Sequence, residues 1–148
     1  MNDETIRDEI EALERLMADY ERWGDGQDWD KFATLFHEDA VVIFDAGPRG
    51  SADAPVGAEI HGRADFVAGM SASLTGVQTA HQFYLPEITI ADETHAHASW
   101  AMHDYVKTPA GTFNGWGHIH HDYVKVDGHW QILRGRTTRL IVDETWNA

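Results

Sequence analysis

A phenol and a carboxylate sit five residues apart where the first amphipathic segment ends, Tyr20 and Asp25 in Asp19-Tyr20-Glu21-Arg22-Trp23-Gly24-Asp25-Gly26. A phenolic hydroxyl can donate a hydrogen bond to an oxygen that gains charge, and a carboxylate can orient an imidazole that takes a proton. Imidazoles are plentiful. The chain has ten, among them His81 at the head of the strand-like run Thr79-Ala80-His81-Gln82-Phe83-Tyr84. In the run from His95 to Val106, strand alternation sets Ala96, Ala98, Trp100, Met102 and Asp104 on one face. A carboxylate ending an apolar row must be hydrogen-bonded or near water, so Asp104 is either a strand-end surface residue or a member of a pocket. Taken singly, Tyr20 also fits an edge-of-core tyrosine, Asp25 a turn residue and His81 a structural histidine.

The same alternation bears on metal binding. His118 and His120 of His118-Ile119-His120-His121 share a strand face, as do His95 and His97, and two ligands two residues apart are geometrically acceptable. Spacing points to no third ligand. The expectation is a solvated or interface-facing histidine cluster and no metal. The sequence has no phosphate-cradling glycine loop, dinucleotide fingerprint or nucleophile elbow, so no cofactor is expected either. Trp23, Trp29, Trp100, Trp116 and Trp130 read as core, some of them free to line a pocket for a flat ligand.

Positioning these groups falls to elements that the apolar periodicity marks. Ile6, Ile10, Leu13, Met17 and Tyr20 recur at steps of three and four, predicting a helix over 3–24 that turns Tyr20 inward. Gly24 and Gly26 are expected to stop it with left-handed or loose backbone. Asp28 would cap a second helix over 28–36 that carries Trp29, Phe32, Leu35 and Phe36 into the core. Residues 40–44 have the β-branched content of a buried strand, and 46–58, rich in Gly, Pro, Ala and Ser, form a loop long enough to be a lid. A brief strand over 59–61 precedes a third helix from Arg63 to Ser73. Four strand-like runs follow, 78–90, 95–106, 113–126 and 130–142, the last two joined by the hairpin signal Asp127-Gly128. Helices first and an antiparallel meander after them make an α+β domain with the helices on one face of a curved sheet.

Bulk properties narrow the partners. The 148 residues suit one domain, 1–148, that buries roughly 70% of the surface its unfolded chain exposes. Eleven Lys and Arg against 25 Asp and Glu leave a net charge of −14, which disfavours nucleic acid and anionic membranes and suits a neutral or apolar small ligand. Without cysteine there is no disulfide framework. The polar, acidic start and the lack of a long apolar run lead us to expect a soluble, cytoplasmic protein.

Over nearly its whole length the chain resembles the SnoaL-like branch of the nuclear transport factor 2-like superfamily. The resemblance rests on the helix ending in Tyr20 and Asp25, the Asp28-Trp29-Asp30-Lys31-Phe32 turn, the strands and the Asp127-Gly128-His129-Trp130 hairpin. It implies a cone-shaped, curved antiparallel sheet wrapped around a long N-terminal helix with two shorter ones, a deep apolar pocket, and often a homodimer or higher homo-oligomer. Members include scytalone dehydratase, ketosteroid isomerase, limonene epoxide hydrolase and polyketide cyclases. The pattern is most similar to the bile-acid 7α-dehydratase and scytalone dehydratase type. The former has a Tyr and an Asp five apart at the first helix end, a His opening a strand, an Asp eighteen beyond a proline and an Arg nine beyond the hairpin Trp. Here these are Tyr20, Asp25, His81, Asp104 after Pro86, and Arg139 after Trp130. The 46–58 loop and the His118 to His121 cluster lie outside that pattern.

What the resemblance implies is a cofactor-independent lyase, dehydratase-like, acting on a small, mainly apolar cyclic or aromatic substrate. His81 would be the general base, within hydrogen-bond reach of an orienting Asp25 whose charge stabilises the imidazolium that forms. Tyr20 would donate to a substrate oxygen, and Asp104 and Arg139 would position the substrate or the dyad. Carbon-carbon cleavage with loss of a small aldehyde would use the same groups. So would an isomerase, a cyclase or an epoxide hydrolase, and the fold also supports a non-catalytic ligand-binding or scaffold module.

Overall fold

The computed structural model describes residues 1–48 and 52–147. Asn2 caps the first helix, α1 (Asp3–Asp25), by accepting from the Thr5 backbone N–H at 2.8 Å. Leu13, Leu16 and Met17 are its fully buried residues, so the inward stripe is centred one helical turn before Tyr20. Asp28 caps α2 (Trp29–Ala33), which is shorter than its periodicity suggests. Phe36, expected in that helix, instead opens β1 (Phe36–Phe44). Both assignments bury the side chain, which is why burial pattern alone cannot separate them.

The chain then runs through β2 (Ala58–His61), α3 (Arg63–Ser73), β3 (Gln78–Ile90), β4 (His95–Thr108), β5 (Gly111–Val126) and β6 (His129–Trp146). The sheet order is β2-β1-β6-β5-β4-β3. Consecutive strands β3 to β6 pair antiparallel as expected, but β1 joins the sheet parallel to β6, a crossover that no local pattern announces. The result is a curved, unclosed six-stranded sheet that shares one apolar core with the three helices. The hairpin between β5 and β6 turns through Asp127 and Gly128 with φ of 50° and 79°, the left-handed pair that a type I′ turn requires.

The glycines at the end of α1 work differently from expectation. Gly24 is helical and Gly26 has φ −80°, while Gln27 takes the left-handed conformation at φ 55°. Space explains the two glycines: a Cβ on Gly24 would stand 3.3 Å from the Phe32 ring, and one on Gly26 would stand 2.9 Å from the Arg22 carbonyl oxygen. Gln27 then uses its amide to donate to the carbonyls of Leu74 and Val77, both at 2.9 Å, tying the helix end to the connection between α3 and β3. An aromatic cluster fills the space between helices and sheet, with Tyr20 and Phe32 at 5.1 Å and Phe36 and Phe66 at 5.1 Å between ring centroids. Each such ring buried contributes about 1.5–3 kcal/mol.

Candidate active site

Four of the five residues singled out from the sequence line one cavity of about 210 Å³ between α3, the sheet and the described ends of the 46–58 loop: Tyr20, His81, Asp104 and Arg139. The fifth, Asp25, stands behind His81. Residues 49–51 of that loop lie outside the described residues, whereas Gly47, Pro48, Pro55, Val56 and Gly57 form part of the wall. The remaining wall is largely apolar, with Phe44, Ile60, Met70, Met102, Val106 and Ile119 among its members.

Strand register builds the site. His81 on β3 is the direct partner of Asp104 on β4, so the alternation that sends one inward sends the other. Asp25, at the last turn of α1, accepts three hydrogen bonds: from the His81 backbone N–H at 2.8 Å, from the Thr79 hydroxyl at 2.9 Å, and at 2.6 Å from His81 Nδ1. A carboxylate oxygen accepts from Nδ1, so Nδ1 carries a proton, and in the neutral ring this leaves the lone pair on Nε2. Thr79 was not anticipated from the sequence, although it lies two residues before His81 on the same strand face.

Asp104 is almost fully enclosed, its side chain 3% exposed, and its charge is met by Arg139, whose Nη1 and Nη2 donate to the two carboxylate oxygens at 2.5 and 3.0 Å. A third N–H, at Nε, donates to the Ala46 carbonyl at 2.7 Å. Of the two readings of Asp104, pocket member is the one the geometry supports. The pair also required a residue that sequence reading missed. Asp104 is on β4 and Arg139 on β6, so the contact crosses β5 at Gly115, where any Cβ would overlap Arg139 Nη1 and stand 2.6 Å from Asp104 Oδ1. Tyr20 packs edge-on to Phe83, and its hydroxyl takes no hydrogen bond among the described residues. Burial raises its pKa well above the ordinary phenol range, and the charges of Asp104 and Asp25 push it further. It stays a neutral donor.

The histidine cluster divides between the two faces of the sheet. His118 and His120 point outward with rings 6.0 Å apart, and His120 is held between the Ser99 and Thr138 hydroxyls at 2.8 and 3.1 Å. His121 points inward to the Tyr123 hydroxyl at 2.9 Å, and burial, with the charge of His120 as a smaller cause, lowers its pKa to about 3. Among the described residues no three His, Asp or Glu side chains converge as metal ligands. Trp116, expected in the core, instead stacks on His103 at 4.6 Å on the outer face and is 37% exposed, and no tryptophan lines the cavity. No helix among the described residues is long and apolar enough to cross a membrane.

With this geometry in place, comparison with known proteins is decisive at the level of family. Residues 5–136 match the SnoaL-like domain. The chain belongs to the SnoaL-like domain family. Similar solved structures include a provisionally assigned scytalone dehydratase from Novosphingobium aromaticivorans, at 22% identity and a TM-score of 0.81, covering 98% of this chain and 93% of that one. A type 2 hexachlorocyclohexane dehydrochlorinase superposes with a TM-score of 0.77 at 10% identity, covering 99% and 95%. An uncharacterised protein with a cystatin-like fold from Caulobacter vibrioides gives 0.72 at 18% identity, covering 89% of each chain. At these identities the likeness establishes the fold. This SnoaL-like chain thus stands among proteins that include lyase-type enzymes, dehydratases and dehydrochlorinases by name.

Proposed function

We propose that this SnoaL-like protein is a cofactor-independent lyase that removes a small leaving group, most simply water, from a small, mainly apolar cyclic or aromatic substrate. One observation carries the reading: His81 is tied through Nδ1 to Asp25 at 2.6 Å and lines a largely apolar cavity that Tyr20, whose hydroxyl is unpaired among the described residues, also lines. In that cavity the Nε2 lone pair takes a proton from a substrate carbon, and Asp25 stabilises the imidazolium that results. Tyr20 donates to the substrate oxygen on which negative charge grows. A carbon-oxygen bond then breaks as the double bond forms, and the imidazolium proton leaves with hydroxide as water. Asp104 and Arg139 form the fixed polar floor that positions the substrate. Loss of a small aldehyde by carbon-carbon cleavage would need the same groups, and product analysis separates the two. We further propose that the protein acts as a homodimer or higher homo-oligomer, in keeping with the family.

The test is a panel of small cyclic β-hydroxy ketones assayed for loss of water with the wild type, His81→Ala, Asp25→Asn and the double variant. General-base catalysis predicts that His81→Ala lowers kcat by roughly 10²- to 10⁴-fold with a small change in KM. Because the two residues act as one unit, the double variant should be hardly slower than the slower single one. Losses that multiply would dissolve the dyad, and variants that only weaken binding would leave a ligand-binding module.

A further inference from the structure

An arginine in an apolar cavity is the obvious receptor for a carboxylate ligand, yet Arg139 is not disposed to receive one. Each of its terminal nitrogens gives one N–H to Asp104 and its Nε gives its own to the Ala46 carbonyl, so its charge is already met, and its side chain is only 8% exposed. The face of the Phe113 ring, 5.2 Å from the guanidinium carbon, holds it from another side. This closure depends on Gly115. Glycine in the middle of a central strand weakens the strand, since it has no side chain to pack and more backbone freedom to lose. At position 115 the missing side chain is what lets the guanidinium cross β5 to reach Asp104. The other carboxylate of the site, Asp25, has Thr79 and His81 as its hydrogen-bond partners among the described residues, and no Lys or Arg among them.

An anion entering this cavity would have to compete with Asp104 for Arg139 while facing two carboxylates. An uncharged oxygen meets no such penalty. It can accept from the Tyr20 hydroxyl and from the guanidinium N–H groups that Asp104 and Ala46 leave over, since an arginine has five. We propose that Gly115, Asp104 and Arg139 together act as a charge filter, so that the cavity takes an uncharged ring compound bearing a hydroxyl or carbonyl oxygen and rejects the carboxylate of the same shape. The inference rests on the cavity being the substrate site. It adds a specificity device built as much on repulsion as on attraction.

The probes are 2-naphthol and 2-naphthoate, near-identical in outline and, at neutral pH, uncharged and anionic respectively. Titration calorimetry on the wild type should give a dissociation constant at least about ten-fold lower for 2-naphthol, as a like-charge penalty against the other probe requires. Asp104→Asn keeps the shape and leaves the Arg139 charge unmatched, so it should shift the ratio of the two dissociation constants by roughly ten-fold or more in favour of 2-naphthoate. Equal binding of the two probes by the wild type, tighter binding of 2-naphthoate, or binding of neither overturns the filter. An unchanged ratio in Asp104→Asn does the same. Should that variant fail to melt cooperatively, the wild-type ratio still decides, since it needs no substitution. The filter and the catalytic reading also fail separately. Probes sorted as expected alongside undiminished turnover in His81→Ala would keep the filter and remove the dyad, while His81-dependent elimination on a carboxylate substrate would do the reverse.

Discussion

At the scale of single residues, His121 makes the sharpest prediction outside the cavity. Its pKa falls from the usual 6.5 to about 3 on folding because the ring is buried against Tyr20 and Tyr123. The unfolded chain therefore binds a proton between those values that the folded chain does not, and stability drops as pH falls through that window. The contribution is fully present above about pH 6.5 and amounts to a few kcal/mol at most, at about 1.4 kcal/mol per pKa unit. Glu9 acts in a lower window. Burial raises its pKa, but hydrogen bonds from Lys125 and Trp130 outweigh this and hold it below 4.5, so its stabilising effect disappears only in stronger acid. Urea midpoints measured from pH 7 to 5 should fall for the wild type and fall less for His121→Gln. Parallel slopes would mean that the buried imidazole is not what titrates. Nothing in the sequence separates His121 from His120 until the strand face is known, and then alternation alone assigns one inward and the other outward.

Elements explain why most of the site was legible and one part was not. Local pattern made Tyr20, Asp25, His81 and Asp104 candidates without deciding between a structural and a functional role for any of them, and the matching spacing to a known family singled out these four together with Arg139. Gly115 carries no local mark, because its importance comes from the register of three strands and from two side chains that pass over it. The parallel pairing of β1 with β6 was hidden for the same reason, being set by packing between segments far apart in the chain. Two substitutions test these element-scale contacts. Gly115→Ala should lower the melting temperature by the equivalent of roughly 1–3 kcal/mol, the usual cost of overpacking, and a neutral result would show that the ion pair shifts freely. Gln27→Ala removes two hydrogen bonds that join the end of α1 to the segment following α3, for a loss of roughly 1–2 kcal/mol by denaturant titration. Faster hydrogen exchange should then appear over Leu74 to Val77, and exchange unchanged there would assign the clamp no role in holding that wall of the cavity.

The whole molecule joins an acidic chain, net −14, to a largely apolar cavity in which Arg139 is paired with Asp104. Its architecture followed from the order of helices and strands together with the family resemblance, since a long amphipathic helix and a meander of long strands can bury their apolar faces mainly against one another. Sedimentation equilibrium should return at least twice the mass of the 148-residue chain if the proposed self-association holds, and a monomer at micromolar concentration would count against it. The central claim, however, is that the fold delivers His81 to the cavity as a base oriented by Asp25. Nitrogen-15 NMR of the imidazole tests this directly and needs no substrate. In the neutral ring the account predicts the proton on Nδ1 with Nε2 bare, and a shift toward the Nε2–H tautomer in Asp25→Ala. A wild-type His81 with the proton on Nε2 and a bare Nδ1 would contradict it.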